Sequence, residues 1–168
     1  MATVTPNYAA SATVTIGLAT TPLASSTTVV REGTVIDNTT NKYDDALLSG
    51  KITVGTTPTS GTPIYVYVYA ILDDTPTYPD TLAGSDADRT LTSVGVGQGF
   101  LKVAAVLNVD STTSNRAYAF GPIAVAQFFG GVLPLKWGVA VSNQSGVALN
   151  STAGLHFIKY IGVKYDVA

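Results

Sequence analysis

The sequence predicts an all-β protein, a single-domain β-sandwich of jelly-roll or Greek-key type. Threonine, valine, tyrosine, isoleucine and glycine dominate the chain, and the first four favour strands. Glu32 is the sole glutamate, and lysine and arginine together number 9, so the usual residues of exposed helices are scarce. Segments of strand-like alternation recur between stretches of turn-forming residues. A length of 168 residues suits one domain with a substantial core.

The chain divides into eight predicted strands separated by turn sequences such as DNTTN (37–41) and SNQSG (142–146). The predicted strands cover residues 11–18, 26–38, 46–55, 63–72, 99–109, 116–128, 135–143 and 155–166. We predict that residues 1–25 form an extended N-terminal arm, partly strand, and that residues 26–168 form the sandwich. The longest irregular stretch is 73–98, and a loop of that length in a compact domain is usually functional or docked on something.

The segment PIYVYVYAILDD (63–74) has an unusual pair of faces. Alternation places Ile64, Val66, Val68, Ala70 and Leu72 on one face and Tyr65, Tyr67, Tyr69 and Ile71 on the other. A half-exposed strand normally has one polar face, whereas this one is aliphatic on one side and mainly tyrosine on the other. We predict that part of the tyrosine row lies beneath a loop of its own chain and that the remainder meets another polypeptide.

The bulk composition predicts assembly with other subunits. Charged residues make up 12% of the chain, about half of the usual ~25%, and the mean hydropathy is +0.29. The most apolar region, 121–141, is interrupted by prolines, glycines and a lysine, so no membrane span is expected. Burial between subunits is the simplest alternative, and we expect a homo-oligomer, a dimer or trimer. The net charge of −2 and the lack of a basic run argue against nucleic acid as a partner.

The sequence predicts a protein that is not an enzyme, with no catalytic residues. His156 is the one histidine, and no G-x-S-x-G elbow supplies a nucleophile for it, so a strand residue is the favoured interpretation. Glu32 has no glutamate partner for sugar hydrolysis. It follows Arg31 directly, and we interpret the two as a charge pair that holds a bend between strands.

No cofactor or metal is predicted either. A calcium site would draw on the aspartates of the irregular stretch, which are Asp73, Asp74, Asp80, Asp86 and Asp88. The twelve-residue EF-hand pattern is absent, and aspartate is a natural turn residue. GVGQGF (95–100) imitates a phosphate loop but leads into a strand rather than a helix, so a flexible approach to that strand is favoured. The chain has no cysteine, which excludes disulfides and thiolate metal sites.

Three stretches of the chain also resemble a known family. They are REGTVIDNTTNKYDDALLSGKITVGTTPT (31–59), YVYAILDDTPTYPDTLAGSDADRT (67–90) and STTSNRAYAFGPIAVAQFFGGVLPLKWGVAVSNQSGVALNSTAGLHFIKYIGVKY (111–165). Together they cover about two thirds of the chain and are similar to tailed-bacteriophage structural proteins that accompany head genes. The resemblance implies a virion component made in the host cytoplasm, with decoration of the head surface as the expected role. It implies the major capsid protein or other virion proteins as partners and carries over no active-site residues.

Two functions are therefore expected, and an enzyme ranks behind both. The first is a non-enzymatic capsid decoration or cement subunit that contacts the shell through the arm (1–25), the loop 73–98 and the tyrosine face. Its candidate interface residues are Tyr65, Tyr67, Tyr69, Ile71, Tyr78 and Asp80. Trp137, the sole tryptophan, is expected in the core. The alternative is a carbohydrate- or receptor-binding β-module of a tail or fibre, with Tyr78 beside Asp73, Asp74 and Asp80 as the sugar platform.

Overall fold

Two antiparallel β-sheets pack face to face in the computed structural model, which describes residues 3–71, 73, 77–92 and 99–167. The strands are β1 (Val4–Tyr8), β2 (Ala12–Thr13), β3 (Val29–Glu32), β4 (Ile36–Asp37), β5 (Asp45–Thr53), β6 (Thr62–Ala70), β7 (Ala87–Thr90), β8 (Lys102–Val109), β9 (Ala117–Ala124), β10 (Lys136–Asn143) and β11 (Phe157–Val167). A 3-10 helix, Ala126–Phe129, follows β9. The β-sandwich prediction is confirmed, while its jelly-roll or Greek-key type stays a prediction.

The first sheet, called sheet A, has the strand order β1-β11-β5-β9, and the short β2 also pairs with β11. The second, sheet B, has the order β7-β3-β10-β6-β8, and β4 also pairs with β10. All the strand pairs are antiparallel. Within the described ranges, no helix is long and apolar enough to cross a membrane.

The core lies between the sheets and is built from one face of each long strand. In β6 the inward residues are Ile64, Val66 and Val68, all fully buried. They face the same layer as Trp137, which has no exposed surface and meets the Tyr160 ring edge-on at 5.5 Å between centroids. The prediction of Trp137 as a core residue is confirmed. Burial of this aliphatic layer away from water is the main contribution to the stability of a sandwich.

Several elements differ from the predicted strands. The end of the predicted strand 116–128 forms the 3-10 helix, and residues 99–100, predicted as the start of a strand, are helical before β8 begins at Lys102. The segment 26–38 splits into β3 and β4, because Thr34 turns its N–H to the carbonyl of Thr15 at 2.8 Å and leaves the ladder with β10. The short β7 lies inside the stretch 73–98 and pairs with β3. The edge strand β1 was expected only as part of the arm. Each of the last three differences depends on a partner segment far away in the sequence, which local alternation does not reveal.

The N-terminal segment is joined to the sandwich along most of its length. Both β1 and β2 pair with β11, and Val14, Leu18 and Leu23 are buried in the main core. The described part of residues 1–25 therefore supplies an edge strand and part of the core.

Candidate functional site

The tyrosine row lies on the outer face of sheet B, away from the core. The strand register places Tyr65 opposite Val106 of β8 and Ser142 of β10, and Tyr67 opposite Val103 of β8. Side chains of directly opposed residues share a face. Val103 and Val106 are 46% and 54% exposed, so the tyrosines border an apolar surface that is open to solvent.

A groove of about 470 Å³ opens on this face. Its lining comprises Thr27, Val30, Tyr65, Tyr67, Leu91, Leu101, Lys102, Val103, Phe128, Ser142 and Gln144. The Tyr65 and Tyr67 rings stack side by side, with centroids 5.8 Å apart and planes 23° apart. Burial, with a smaller contribution from Tyr65, raises the pKa of the Tyr67 phenol. Both the volume and the mixture of apolar walls with a few polar groups are typical of binding sites.

Tyr69 has a different environment from its two neighbours in the row. Its side chain is fully buried in a second apolar cluster with Val30, Leu82, Leu101 and Ala140. The prediction that Tyr69 belongs to an interface is therefore wrong, because its own chain covers the ring. Part of the row lies beneath a loop, as the sequence predicts, since Leu82 lies in the stretch 73–98.

A buried carboxylate holds that loop on the sheet. Glu32 of β3 is fully buried and accepts hydrogen bonds from the Tyr69 hydroxyl at 2.6 Å, from the backbone N–H of Ala83 at 3.0 Å and from that of Gly84 at 2.7 Å. Arg89 of β7 pairs with it through Nε at 2.8 Å. Burial first, and then the hydrogen bond to Glu32, raise the pKa of the Tyr69 phenol. Four donors thus converge on one carboxylate, which ties residues 83–89 to β3 and β6.

The ion-pair partner of Glu32 is Arg89, so the predicted pairing with the adjacent Arg31 is wrong. Alternation on β3 explains the difference, because neighbouring residues point to opposite faces. Arg31 instead lies near Asp86, at 3.8 Å, and near Asp88, at 3.2 Å. Its guanidinium also donates to the carbonyl of Thr21 at 2.7 Å.

The remaining candidate interface residues, Asp80, Tyr78 and Ile71, make contacts within their own chain. Asp80 accepts the backbone N–H of Thr92 at 2.9 Å and also the Thr92 hydroxyl. Tyr78 is half-buried and packs against Gly84, where an added Cβ would lie 2.2 Å from its hydroxyl oxygen. Ile71 is half-buried at the end of β6, where its N–H reaches the carbonyl of Lys136 at 3.3 Å. A role for these three at an interface stays a prediction.

His156 is held by backbone groups on both sides of its ring. Nδ1 accepts the N–H of Thr53 at 3.2 Å, and Nε2 lies 2.7 Å from the carbonyl of Asn150, to which it donates as the neutral Nε2–H tautomer. Burial is the main cause that lowers the pKa of this imidazole. The hydrogen bond to Asn150 raises the pKa in part, and the charge of Lys51 lowers it further. The ring thereby joins β5 to the turn before β11.

The lowered pKa of His156 makes stability depend on pH. An unfolded histidine has a pKa of about 6.5, so between the folded and unfolded pKa values the unfolded chain binds more protons. The free energy of unfolding is therefore expected to be highest above about pH 6.5 and to fall as the pH drops below that value. Because the chain has one histidine, an NMR titration of its Cε1–H in buffer and in urea measures both pKa values. Equal midpoints in the two solvents would contradict this prediction.

The described aspartates of the calcium hypothesis, which are Asp73, Asp80, Asp86 and Asp88, do not converge. Asp73 accepts from Thr77 at 2.9 Å, Asp80 is bound to Thr92, and Asp86 and Asp88 flank Arg31. In the part of the chain that the structure describes, no group of three or more histidine or acidic side chains has a metal-binding arrangement. Asp74 and residues 95–98 of the GVGQGF stretch lie outside the described residues.

Sequence reasoning missed the groove residues outside β6. Val106 alternates with the buried Leu107 along β8, and this pattern, aligned with β6, would have placed it beside Tyr65. Val103 has the same parity as Leu107 and Val109, and it lies beside Tyr67 only because a β-bulge shifts the register between Val66 and Tyr67. Phe128 offered no such signal, because it lies in a 3-10 turn that reaches the groove only through packing.

Comparison with protein-family models, with curated proteins and with solved structures gave no match for this chain.

Proposed function

We propose that this chain is a non-enzymatic structural protein of a tailed-bacteriophage particle, a decoration or cement subunit that binds the major capsid protein on the head surface. The observation that carries the proposal is the groove on sheet B, where Tyr65 and Tyr67 lie beside Val103, with the exposed Val106 opposite Tyr65 at its border. Tyrosine suits an interface because it buries a large ring and keeps a polar tip. The resemblance to head-associated phage proteins supports the same role.

Such a subunit stabilises a shell by mass action. A protein that binds the assembled shell and not its dissociated subunits adds stability that grows with occupancy, and each additional site adds to it. This function requires contact surface and no chemistry. The low charge content of the chain agrees with that requirement, since interface centres are depleted of charged residues.

The proposal is tested by adding the purified protein to undecorated phage heads at micromolar concentration and moderate salt, then pelleting the heads. We expect the protein in the pellet. The double variant Tyr65→Ser/Tyr67→Ser is expected to bind about 30-fold more weakly, because truncation of aromatic residues at an interface centre costs about 2 kcal/mol or more.

Two control variants sharpen this test. Val132→Ser removes an apolar side chain that is 69% exposed outside the groove, and it is expected to pellet like the parent protein. Tyr65→Phe/Tyr67→Phe keeps the rings and separates ring burial from hydroxyl bonding. Recovery of the parent protein only in the supernatant would overturn the proposal. If the serine double variant binds heads as well as the parent protein does, the groove is not the surface that contacts the shell.

A carbohydrate- or receptor-binding β-module is the second candidate, and the groove also favours it in one respect. Two adjacent tyrosine rings lie next to the polar side chains of Ser142, Gln144 and Thr27, and sugar sites combine an aromatic platform with hydrogen-bonding groups. Tyr78 is less available for this role, because its ring packs against Gly84. A glycan array separates the candidates: reproducible hits that are lost in Tyr67→Ser would favour the module.

A further inference from the structure

The outer face of sheet A is mostly apolar, although it lies on the far side of the sandwich from the groove. The strand register places Leu47 opposite Ile161, both half-buried, and the buried Val163 opposite Tyr8, which is 59% exposed. Tyr165 extends this row toward the end of β11 and is 53% exposed. The same face of β9 carries Ala117, Ala119 and Ala124, which are small and leave it flat. The outer face of a sheet in a solitary sandwich is normally polar.

The few charges on this face are separated by sign. Lys51 and Lys159 flank Phe157 at one end, with Nζ atoms 5.6 Å and 5.8 Å from the ring centroid. Asp45 lies toward the other end, opposite Val163, where its Oδ1 accepts the N–H of Ala126 at 2.8 Å. Leu47 and Ile161 lie between the two ends. A face with one basic and one acidic end is complementary to an inverted copy of itself.

We propose that two copies of this chain associate face to face through sheet A, about a two-fold axis that crosses the strands at the level of Leu47 and Ile161. The rotation reverses position along the strands, so Ile161 meets Ile161 of the second copy. Phe157 of one copy then meets Tyr165 of the other, and Lys159 of one copy comes near Asp45 of the other. Face-to-face packing of two twisted sheets is the arrangement already present inside the sandwich.

The size of the face agrees with a dimer. Four strands spaced about 4.8 Å apart and about nine residues long make a face of roughly 19 Å by 30 Å, so two faces together cover about 1,100 Å². Stable interfaces begin near about 1,000 Å². Sheet A therefore has enough area for a dimer of moderate affinity.

Association through the edge of sheet A is less favourable than association through its face. Ala9 donates to the carbonyl of Gly162 at 2.9 Å, and alternation then turns the backbone nitrogen of Pro6 away from β11. Proline has no N–H, so the open edge of β1 lacks a donor at its centre. This placement of proline is a common protection of edge strands.

Cross-linking tests the position of the axis directly, because the chain has no cysteine of its own. Ile161→Cys is expected to yield a covalent dimer with a short bis-maleimide, since packed sheets lie about 10 Å apart. Thr112→Cys, in an exposed turn, is the control and is expected to remain a monomer on denaturing gels.

Sedimentation equilibrium measures the association itself. We expect a dimer at micromolar concentration and a monomer for Ile161→Lys, which places two like charges at the axis, while Val132→Lys is expected to remain dimeric. Lys159→Glu, at an exposed position, is expected to weaken the dimer about tenfold. The two-fold axis places the substituted residue near Asp45 at two symmetric contacts.

A parent protein that stays monomeric at high micromolar concentration, with no excess cross-linking of Ile161→Cys over Thr112→Cys, would overturn the dimer. Protection of sheet A from amide hydrogen exchange only after the protein binds heads would also overturn the dimer, and it would indicate that this face contacts the shell. The dimer and the decoration role are tested separately, since a monomer that pellets with heads contradicts only the dimer. A dimer that stays in the supernatant contradicts only the decoration role.

Discussion

Glu32→Ala is expected to lower the free energy of unfolding by about 3–5 kcal/mol, because it removes the one acceptor on which four donors converge. The buried Tyr69 hydroxyl and the N–H groups of Ala83 and Gly84 would lose their partner, and Arg89 would lose its counter-ion. Glu32→Gln keeps the shape but turns an amide NH₂ toward donors, so an intermediate loss is expected. Urea denaturation followed by the fluorescence of the sole tryptophan measures both variants.

Asp88→Asn is the matched control for the Glu32 variants. Asp88 pairs with Arg31 at 3.2 Å, and its own side chain is 42% exposed although that of Arg31 is 7% exposed. Arg31 keeps Asp86 and the carbonyl of Thr21 as partners when Asp88 is replaced, so a smaller loss than for Glu32→Ala is expected. Amide hydrogen exchange gives a second readout, because the N–H groups of Ala83 and Gly84 are expected to exchange faster in Glu32→Ala. A loss below 1 kcal/mol for Glu32→Ala would show that the loop is held by its apolar contacts instead.

Trp137→Ala is expected to cost about 3–5 kcal/mol, the usual range for removal of a buried tryptophan. The indole is fully buried and its edge-on contact with Tyr160 would be lost. Since a domain of this size has a total stability of about 5–15 kcal/mol, the variant is expected to lose a large fraction of its stability. Far-UV circular dichroism in urea measures the change without relying on tryptophan fluorescence.

Trp137→Phe provides the informative comparison. The indole Nε1 has no hydrogen-bond partner among the described residues, so phenylalanine removes an unsatisfied donor while it leaves a smaller cavity than alanine does. A clearly smaller loss than for Trp137→Ala is expected. Equal losses for the two variants would contradict this prediction, because they differ in the size of the cavity that they leave. Val132→Ala, at an exposed position, is the control and is expected to change stability by less than about 0.5 kcal/mol.

The two outer faces of the sandwich give the proposals a common physical basis. Sheet B presents Val103 and Val106 to solvent beside the groove, and sheet A presents Tyr8, Phe157 and Tyr165. If both proposals hold, the protein binds the shell through one face and its own copy through the other. Glu32 then contributes to shell binding indirectly, because it holds the loop that contains Leu91, a residue of the groove wall.

Local alternation in the sequence determined most of the strands. The predicted segments 46–55, 63–72 and 135–143 correspond to β5, β6 and β10 with ends that differ by at most two residues. The same periodicity placed Ile64, Val66 and Val68 on one aliphatic face, which is buried, and the apolar strand around the sole tryptophan indicated a core position for Trp137. These features follow from neighbours along the chain, because a strand with one buried face must repeat every two residues.

Only the tertiary structure decided which tyrosines are covered. Tyr69 is buried and Tyr67 is not, although both have the same type of neighbours in the sequence. The difference arises from a loop that Glu32 binds across 51 and 57 residues of chain, through Ala83 and Arg89. A contact of that separation leaves no periodicity in the sequence, so its partner was wrongly assigned to the adjacent Arg31. Alternation on β3 directs Arg31 and Glu32 to opposite faces. Which residues pair with each side chain then depends on the elements that pack against each face of sheet B.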